Sequence, residues 1–177
     1  MKTTINYTVL VLMIVIFASC GSAREKELQQ IKSVEEKTFS ESGLVEANFV
    51  DELIESYENF ANNFPGDSLA PDYLFKAGDV AMNTNRSNKA IMLYDRIINE
   101  FTDYRKVPEA LFLKGYVYEN NLGRLDKAKA IYEEFLQKYP DNDFADDAEV
   151  SLKYLGKSPE ELIEIFQQGN AETQKEE

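Results

Sequence analysis

Three windows of 13 residues align in this chain without a gap: LIESYENFANNFP from Leu53 to Pro65, AIMLYDRIINEFT from Ala90 to Thr102, and AKAIYEEFLQKYP from Ala128 to Pro140. Tyr57, Tyr94 and Tyr132 fall in register, as do Phe60, Ile97 and Phe135, and then Phe64, Phe101 and Tyr139, at a spacing of 37 and then 38 residues. A period of this length constrains the fold strongly, because each period is one supersecondary unit that cannot bury its apolar face alone. The segments after the windows align too. Pro71-Asp72-Tyr73-Leu74-Phe75 matches Pro108-Glu109-Ala110-Leu111-Phe112, Gly78 coincides with Gly115, and Asp146-Asp147-Ala148 stands at the third equivalent place. Each unit is therefore expected to be a helix opened by Pro in its first turn, where the missing N–H costs nothing. A short turn and a second helix ending near Pro complete it.

By these residues the chain resembles the tetratricopeptide repeat (TPR) family. A unit counted from Pro71 places Leu74, Ala77, Gly78, Ala81, Ala90, Tyr94 and Ile97 at the family's signature positions. One counted from Pro108 does the same with Leu111, Gly115, Tyr118, Ala128, Tyr132, Phe135 and Pro140, after one extra residue in the turn at Asn120 to Arg124. The departures are Lys114 for a small apolar residue, Thr102 for a proline, and a period longer than the usual 34 or so. The extra length falls after the second helix of each unit, where insertion is cheap.

The resemblance implies an all-α fold, an α-α superhelix (a TPR solenoid) of two full units with flanking half-units and a C-terminal capping helix. In it, Gly78 and Gly115 let the paired helices of a unit approach closely and Ala90 and Ala128 receive that contact. Aromatic residues fill the wedge between units. The capping helix is expected from Ser158-Pro159-Glu160-Glu161, a capping box, with Leu162, Ile163, Ile165 and Phe166 as its apolar face over the last unit.

The N-terminus is a different kind of segment. Lys2 is the only charge before an apolar run from Val9 to Phe17, which is too short for a membrane-spanning helix of about 20 residues and of the length of a signal-peptide core. Ala18, Ser19 and the chain's single cysteine, Cys20, follow it. Phe17-Ala18-Ser19-Cys20 resembles the lipobox of bacterial lipoproteins, in which the cysteine is acylated and becomes the first residue of the mature chain. The usual Leu is Phe17 here. The expected organisation is a signal peptide at 1–19, a lipidated tether with a short helix at 20–46, the TPR domain at 47–168 and a flexible tail at 169–177. With Gly21 and Ser22 next to the anchor, the same resemblance implies the outer membrane, and the lack of an early block of acids, which some lipoproteins use for surface export, implies its periplasmic face.

Charge and missing residue types narrow the chemistry. The chain has 19 Lys and Arg against 32 Asp and Glu, a net charge of −13, which repels phosphate backbones and argues against a nucleic-acid partner. It has no histidine, so imidazole metal sites and histidine-activated nucleophiles are excluded. Gly156-Lys157-Ser158 lacks the preceding glycine of a phosphate-binding loop, since Ser151 stands at that place. Asp141, Asp143 and Asp146 lack the glycine and distal glutamate of a calcium loop, and are expected as helix-capping residues of a turn. No enzyme activity, metal or cofactor is expected.

In TPR proteins the first helix of each unit lines a groove that takes extended segments of partners. The resemblance places Asp72, Phe75, Asp79, Met82 and Asn83 there in one unit, and Glu109, Phe112, Tyr116, Glu119 and Asn120 in the next, with packing between neighbouring helices the alternative for Phe75 and Phe112. Acids and aromatics stand where carboxylate-clamping grooves carry Lys, Asn and Arg, so a neutral or basic extended segment is the expected ligand. A lipid anchor joined to such repeats resembles the TPR lipoproteins of the outer-membrane β-barrel assembly machinery and the periplasmic coordinator associated with Tol-Pal. The implied function is a non-catalytic envelope scaffold binding other envelope proteins, the alternative being an accessory subunit of an envelope enzyme complex.

Overall fold

The computed structural model describes residues 23–39, 45–158, 160–165 and 167. The segment expected as a signal peptide, Cys20 and the tail 169–177 lie outside the described residues. The chain forms α1 (23–38), a 3-10 turn (Ala47–Phe49), α2 (Val50–Asn63), α3 (Ala70–Asn83), α4 (Ser87–Glu100) and α5 (Val107–Tyr116). A π turn (Val117–Asn121), α6 (Leu125–Lys138), α7 (Ala145–Tyr154) and α8 (160–165) follow. Among the described residues the only strand-like feature is one bridge between Phe39 and Val45, and no helix is long and apolar enough to cross a membrane.

The helices begin and end where the sequence signals stand. Pro71 and Pro108 occupy the first turns of α3 and α5, while Pro65 and Pro140 follow the C-caps Phe64 and Tyr139. The six-residue connections that lengthen the period share one bonding pattern. Asp67, Tyr104 and Asn142 donate their N–H to the carbonyls of Phe64, Phe101 and Tyr139, and then accept on their own carbonyls from Ala70, Val107 and Ala145. In two of the three, a side chain reinforces the turn: Asp67 Oδ1 accepts from the Leu69 N–H at 3.0 Å and Asn142 Oδ1 from the Phe144 N–H at 3.1 Å. The turn residue before α7 that bonds backbone in this way is thus Asn142, between Asp141 and Asp143, while Asp146, the third aspartate expected in that role, lies in the first turn of α7.

Contacts divide the chain into two compact units, with the boundary between Leu93 and Tyr94 inside α4. In the first, α2 packs on α3. Val50, Leu53, Ile54, Tyr57, Phe60 and Ala61 make one buried face of α2, at the spacing of a helix, and Tyr73 of α3 meets it, stacked on Tyr57 at 5.4 Å and edge-on to Phe60 at 4.8 Å. Residues 23–38, expected as a short helix within a tether, are bound along their whole length. Ile31 and Val34 are 2% and 1% exposed. Glu27 accepts from Asn63 Nδ2 at 2.7 Å and Glu35 from the Tyr57 hydroxyl at 2.7 Å, so α1 runs antiparallel to α2. The flanking half-unit expected ahead of Pro71 is α2, and α1 completes it as a helical hairpin.

In the second unit α6 packs on both α5 and α7. Tyr132 and Phe135, both fully buried, form the centre with Leu111, Phe112, Ala128 and Ala148. A Cβ added to Gly115 would lie 2.7 Å from Tyr132 Cε1, 3.0 Å from its Cδ1 and 3.2 Å from Ile131 Cγ2. The close approach expected at Gly115 is therefore present, but the nearest atoms come from Tyr132 and Ile131, about one turn beyond Ala128. After α7, Gly156 takes φ +74°, a conformation that favours glycine, and the chain enters the capping box. Ser158 Oγ accepts from the Glu161 N–H at 3.2 Å while Glu161 Oε2 accepts from the Ser158 N–H at 2.8 Å. Ile163, expected on the buried face of α8, is 55% exposed.

Candidate protein-binding surface

The first helices of the repeats carry the ten residues expected to line a groove, and burial sorts them. Phe75 and Phe112 are 4% and 8% exposed. Of the two readings open for them, burial selects the core one over ligand contact, and for Phe112 the packing is explicit: it lies 5.6 Å from Tyr132, 5.9 Å from Phe135 and 5.1 Å from Phe144, closing the space between α5, α6 and the start of α7. An aromatic ring with that many neighbours gains more from burial than from waiting on a partner. Glu119 is half-buried and accepts from the Tyr132 hydroxyl at 2.8 Å, so its carboxylate satisfies the core and is also unavailable as a simple surface charge. Glu109 lies 3.6 Å from Lys106.

What remains open differs between the units. In the first, Asn83 is exposed and Asp72, Asp79 and Met82 are half-buried; Asn83 Nδ2 donates to the Asp79 carbonyl at 2.9 Å. In the second, Tyr116 is 41% exposed, and exposed Asn120 donates to the Tyr116 carbonyl at 3.3 Å. Lys114, which replaces a small residue of the family pattern, reaches Asp95 of α4 at 2.7 Å with its side chain only 17% exposed.

The extra residue of the second repeat takes a form that sequence did not indicate. In α3, Thr84 donates to Val80, Asn85 to Met82 and Arg86 to Ala81. At the end of α5 the equivalent bonds run from Leu122 to Val117, Gly123 to Glu119 and Arg124 to Tyr118, each reaching one residue further back. The insertion is thus absorbed inside the helix, as the π turn Val117–Asn121, instead of in the turn after it. Such bulges persist where the surrounding packing holds them, and they recur at functional sites. Gly123, at φ +62°, closes the turn as Asn85 does at φ +61° in α3.

The repeat tyrosines supply the electrostatic anchor of both units. Burial, and next the bond to Glu35, raises the Tyr57 hydroxyl above its ordinary value; burial and Glu119 do the same for Tyr132. Both stay protonated and donate to a carboxylate. Elsewhere in the first unit, Asp51, Ile54, Glu55 and Glu58 of α2, with Arg86 and Lys89 before and within α4, line a shallow cleft of about 390 Å³. Its walls are paired, Arg86 with Asp51 and Lys89 with Glu58 at 2.7 Å. Sequence patterning had not brought these residues together, because the two helices meet only through the fold.

The Tetratricopeptide repeat family model matches residues 72–104 and 109–142. Both stretches are similar to tetratricopeptide repeats. They correspond to α3 with α4 and to α5 with α6, within a residue of the units counted from Pro71 and Pro108, and the fold class is the all-α one of TPR superhelices. No curated protein matches the chain. TPR repeats bind proteins and peptides, which makes a protein partner the expected one. Among the described residues, no three His, Cys, Asp or Glu side chains come together as a metal site.

Proposed function

We propose that this protein is a lipid-anchored envelope protein whose TPR repeats dock an extended segment of another protein, without catalysis of its own. The observation that carries the docking reading is Tyr116. It sits on the first helix of a matched repeat and is 41% exposed beside exposed Asn120. A large amphipathic ring with an open face is the side chain that interfaces use as an anchor. The net charge of −13 favours a basic or neutral segment as its partner. The anchor reading rests on Cys20, the only cysteine, directly after the apolar run and Ala18-Ser19. Gly21 and Ser22 favour the outer membrane, and the lack of an early acidic block favours its periplasmic face.

A photo-crosslinking amino acid placed singly at Tyr116 or Asn120, or at Glu133 on the outer face of α6, tests the docking surface in intact cells. Adducts are expected from the first two positions and not from Glu133. Adducts confined to Glu133 move the binding face to the second helices of the repeats. Intact mass tests the anchor: the mature chain is expected to begin at Cys20 with acyl chains attached, and Cys20→Ala is expected to lose them and the detergent partitioning. A partner with an active site of its own would make this chain the accessory subunit of an enzyme complex.

A further inference from the structure

Helix α1 is held to the first unit from one end to the other. At its start Arg24 pairs with Asp67 of the α2–α3 turn, an interaction that holds the Asp67 carboxyl below the ordinary carboxylate range. Glu27 then takes Asn63, Ile31 and Val34 are buried, Glu35 takes both the Tyr57 hydroxyl and Lys76 at 3.0 Å, and Thr38 is fully buried. A helix fixed at every turn cannot swing as a tether. Only three peptide steps separate Cys20 from Ala23, and fully extended they span at most about 11 Å. An anchor on Cys20 therefore confines this end of the first unit to the immediate neighbourhood of the bilayer.

The composition of that end fits the confinement. From Asn59 to Pro71 the only charged side chain is Asp67, and it is neutralised by Arg24. Asn62, Asn63, Pro65, Gly66 and Ser68 are exposed there and uncharged. The chain as a whole carries −13, so a rim of 13 residues with a single, paired acid is a local departure from its own composition; of the α1 residues beside it, Glu27 bonds Asn63 and exposed Glu25 stands next to exposed Lys26. Anionic headgroups repel carboxylates within a Debye length, about 8 to 10 Å at physiological salt. That distance is the one the short connection imposes.

We propose that the rim around the α2–α3 turn rests against lipid headgroups, so that the repeats stand on the membrane by their own first hairpin. This rests on the reading that Cys20 carries the anchor. Because α3 is 14 residues long, the turn at its other end lies about 20 Å away along the helix, which gives an internal control for a hairpin standing upright on the membrane. The chain contains no tryptophan, so a single introduced one reports its own surroundings. Ser68→Trp and Asn83→Trp, both at exposed positions, are purified as the membrane-extracted protein and reconstituted into vesicles of neutral and anionic phospholipid with a headgroup-attached quencher. Melting with the wild type confirms that each is folded.

Ser68→Trp is expected to lose most of its emission and Asn83→Trp to keep it. Equal quenching of the two, or none of either, in protein whose intact mass shows the acyl chains overturns the apposed rim and leaves the anchor standing. An intact mass without acyl chains removes the anchor and the apposed rim together.

Discussion

The hairpins α1–α2 and α5–α6 arrive at the same device by different sequences. In each, a buried tyrosine of the second helix donates its hydroxyl to a glutamate of the first, Tyr57 to Glu35 and Tyr132 to Glu119. The α5–α6 pair carries the family's glycine, and its helices approach until a Cβ at Gly115 would sit 2.7 Å from the Tyr132 ring. The α1–α2 pair has no glycine at its contact and fills it with Ile31 and Val34. Its connection, residues 39–49, is far longer than the turn between α3 and α4. Glycine in this repeat therefore marks how close two helices come, while the tyrosine marks that they pair at all. Pairing survives without the glycine because buried apolar surface, at about 25 cal/mol per Å², drives it and leaves the distance to the side chains.

The sharpest break of that comparison is at Gly115. Glycine to alanine inside a helix ordinarily gains roughly 0.5 to 1 kcal/mol. Here the new methyl meets a fully buried ring, so Gly115→Ala is expected to destabilise despite its better helix propensity. Gly115→Leu is expected to cost about 3 kcal/mol or more by overpacking. Urea melts decide it, and a Gly115→Ala protein more stable than wild type would show that the ring can yield. Ala128→Leu, at another fully buried site of the same hairpin, is expected to behave as Gly115→Leu does.

Removing the shared device separates the hairpins. Tyr132→Phe leaves Glu119 without its donor, and a loss of about 1.5 kcal/mol is expected for a hydrogen bond to a charged group. Tyr57→Phe is expected to cost less, because Glu35 keeps Lys76 at 3.0 Å. The pH dependence has a definite sign. Both tyrosines have folded values raised above the unfolded one near 10, so their contribution is fully present below about pH 10 and is lost as pH rises further. Tyrosinate absorbance during alkaline unfolding checks this. Eight of the ten tyrosines remain in the Tyr57→Phe, Tyr132→Phe double variant, whose stability is expected to fall less steeply above that pH than the wild type's.

Deleting Asn121 compares the two turns directly, since it restores the residue count of the α3–α4 turn while leaving Glu119 on the N-terminal side. The i to i−5 bond from Leu122 to Val117 is expected to become an ordinary helical bond, with a stability change within about 1 kcal/mol. Loss of folding on deletion would show that packing around the π turn demands the bulge. The smallest stability effect is expected at Tyr116→Ala, less than about 0.5 kcal/mol as for surface positions generally. Its crosslinks and partner affinity are nevertheless expected to drop the most.

Much of the fold was legible because the repeat is written in local terms. Proline at the first turn, tyrosine and phenylalanine at helical spacing, and the capping box at Ser158 each act within a few residues of themselves, and each stands where it was expected. The candidate surface was less legible. Phe75 and Phe112 share the spacing of exposed residues, yet the presence of Phe144 from the next repeat turns Phe112 inward, and no window of one repeat contains that neighbour. The same holds for Glu119, whose partner lies 13 residues away across the turn.

By itself the sequence determined the period, the helical class and the helix ends, since these follow from propensity, capping and apolar spacing along one stretch of chain. Tertiary structure decided what those terms leave open. It paired α1 with α2 across a long connection, placed the extra residue in a π turn that continues α5, and chose which aromatics are core and which face outward. The physical reason is that burial and hydrogen-bond satisfaction are properties of neighbours in space, and here those neighbours come from a different helix.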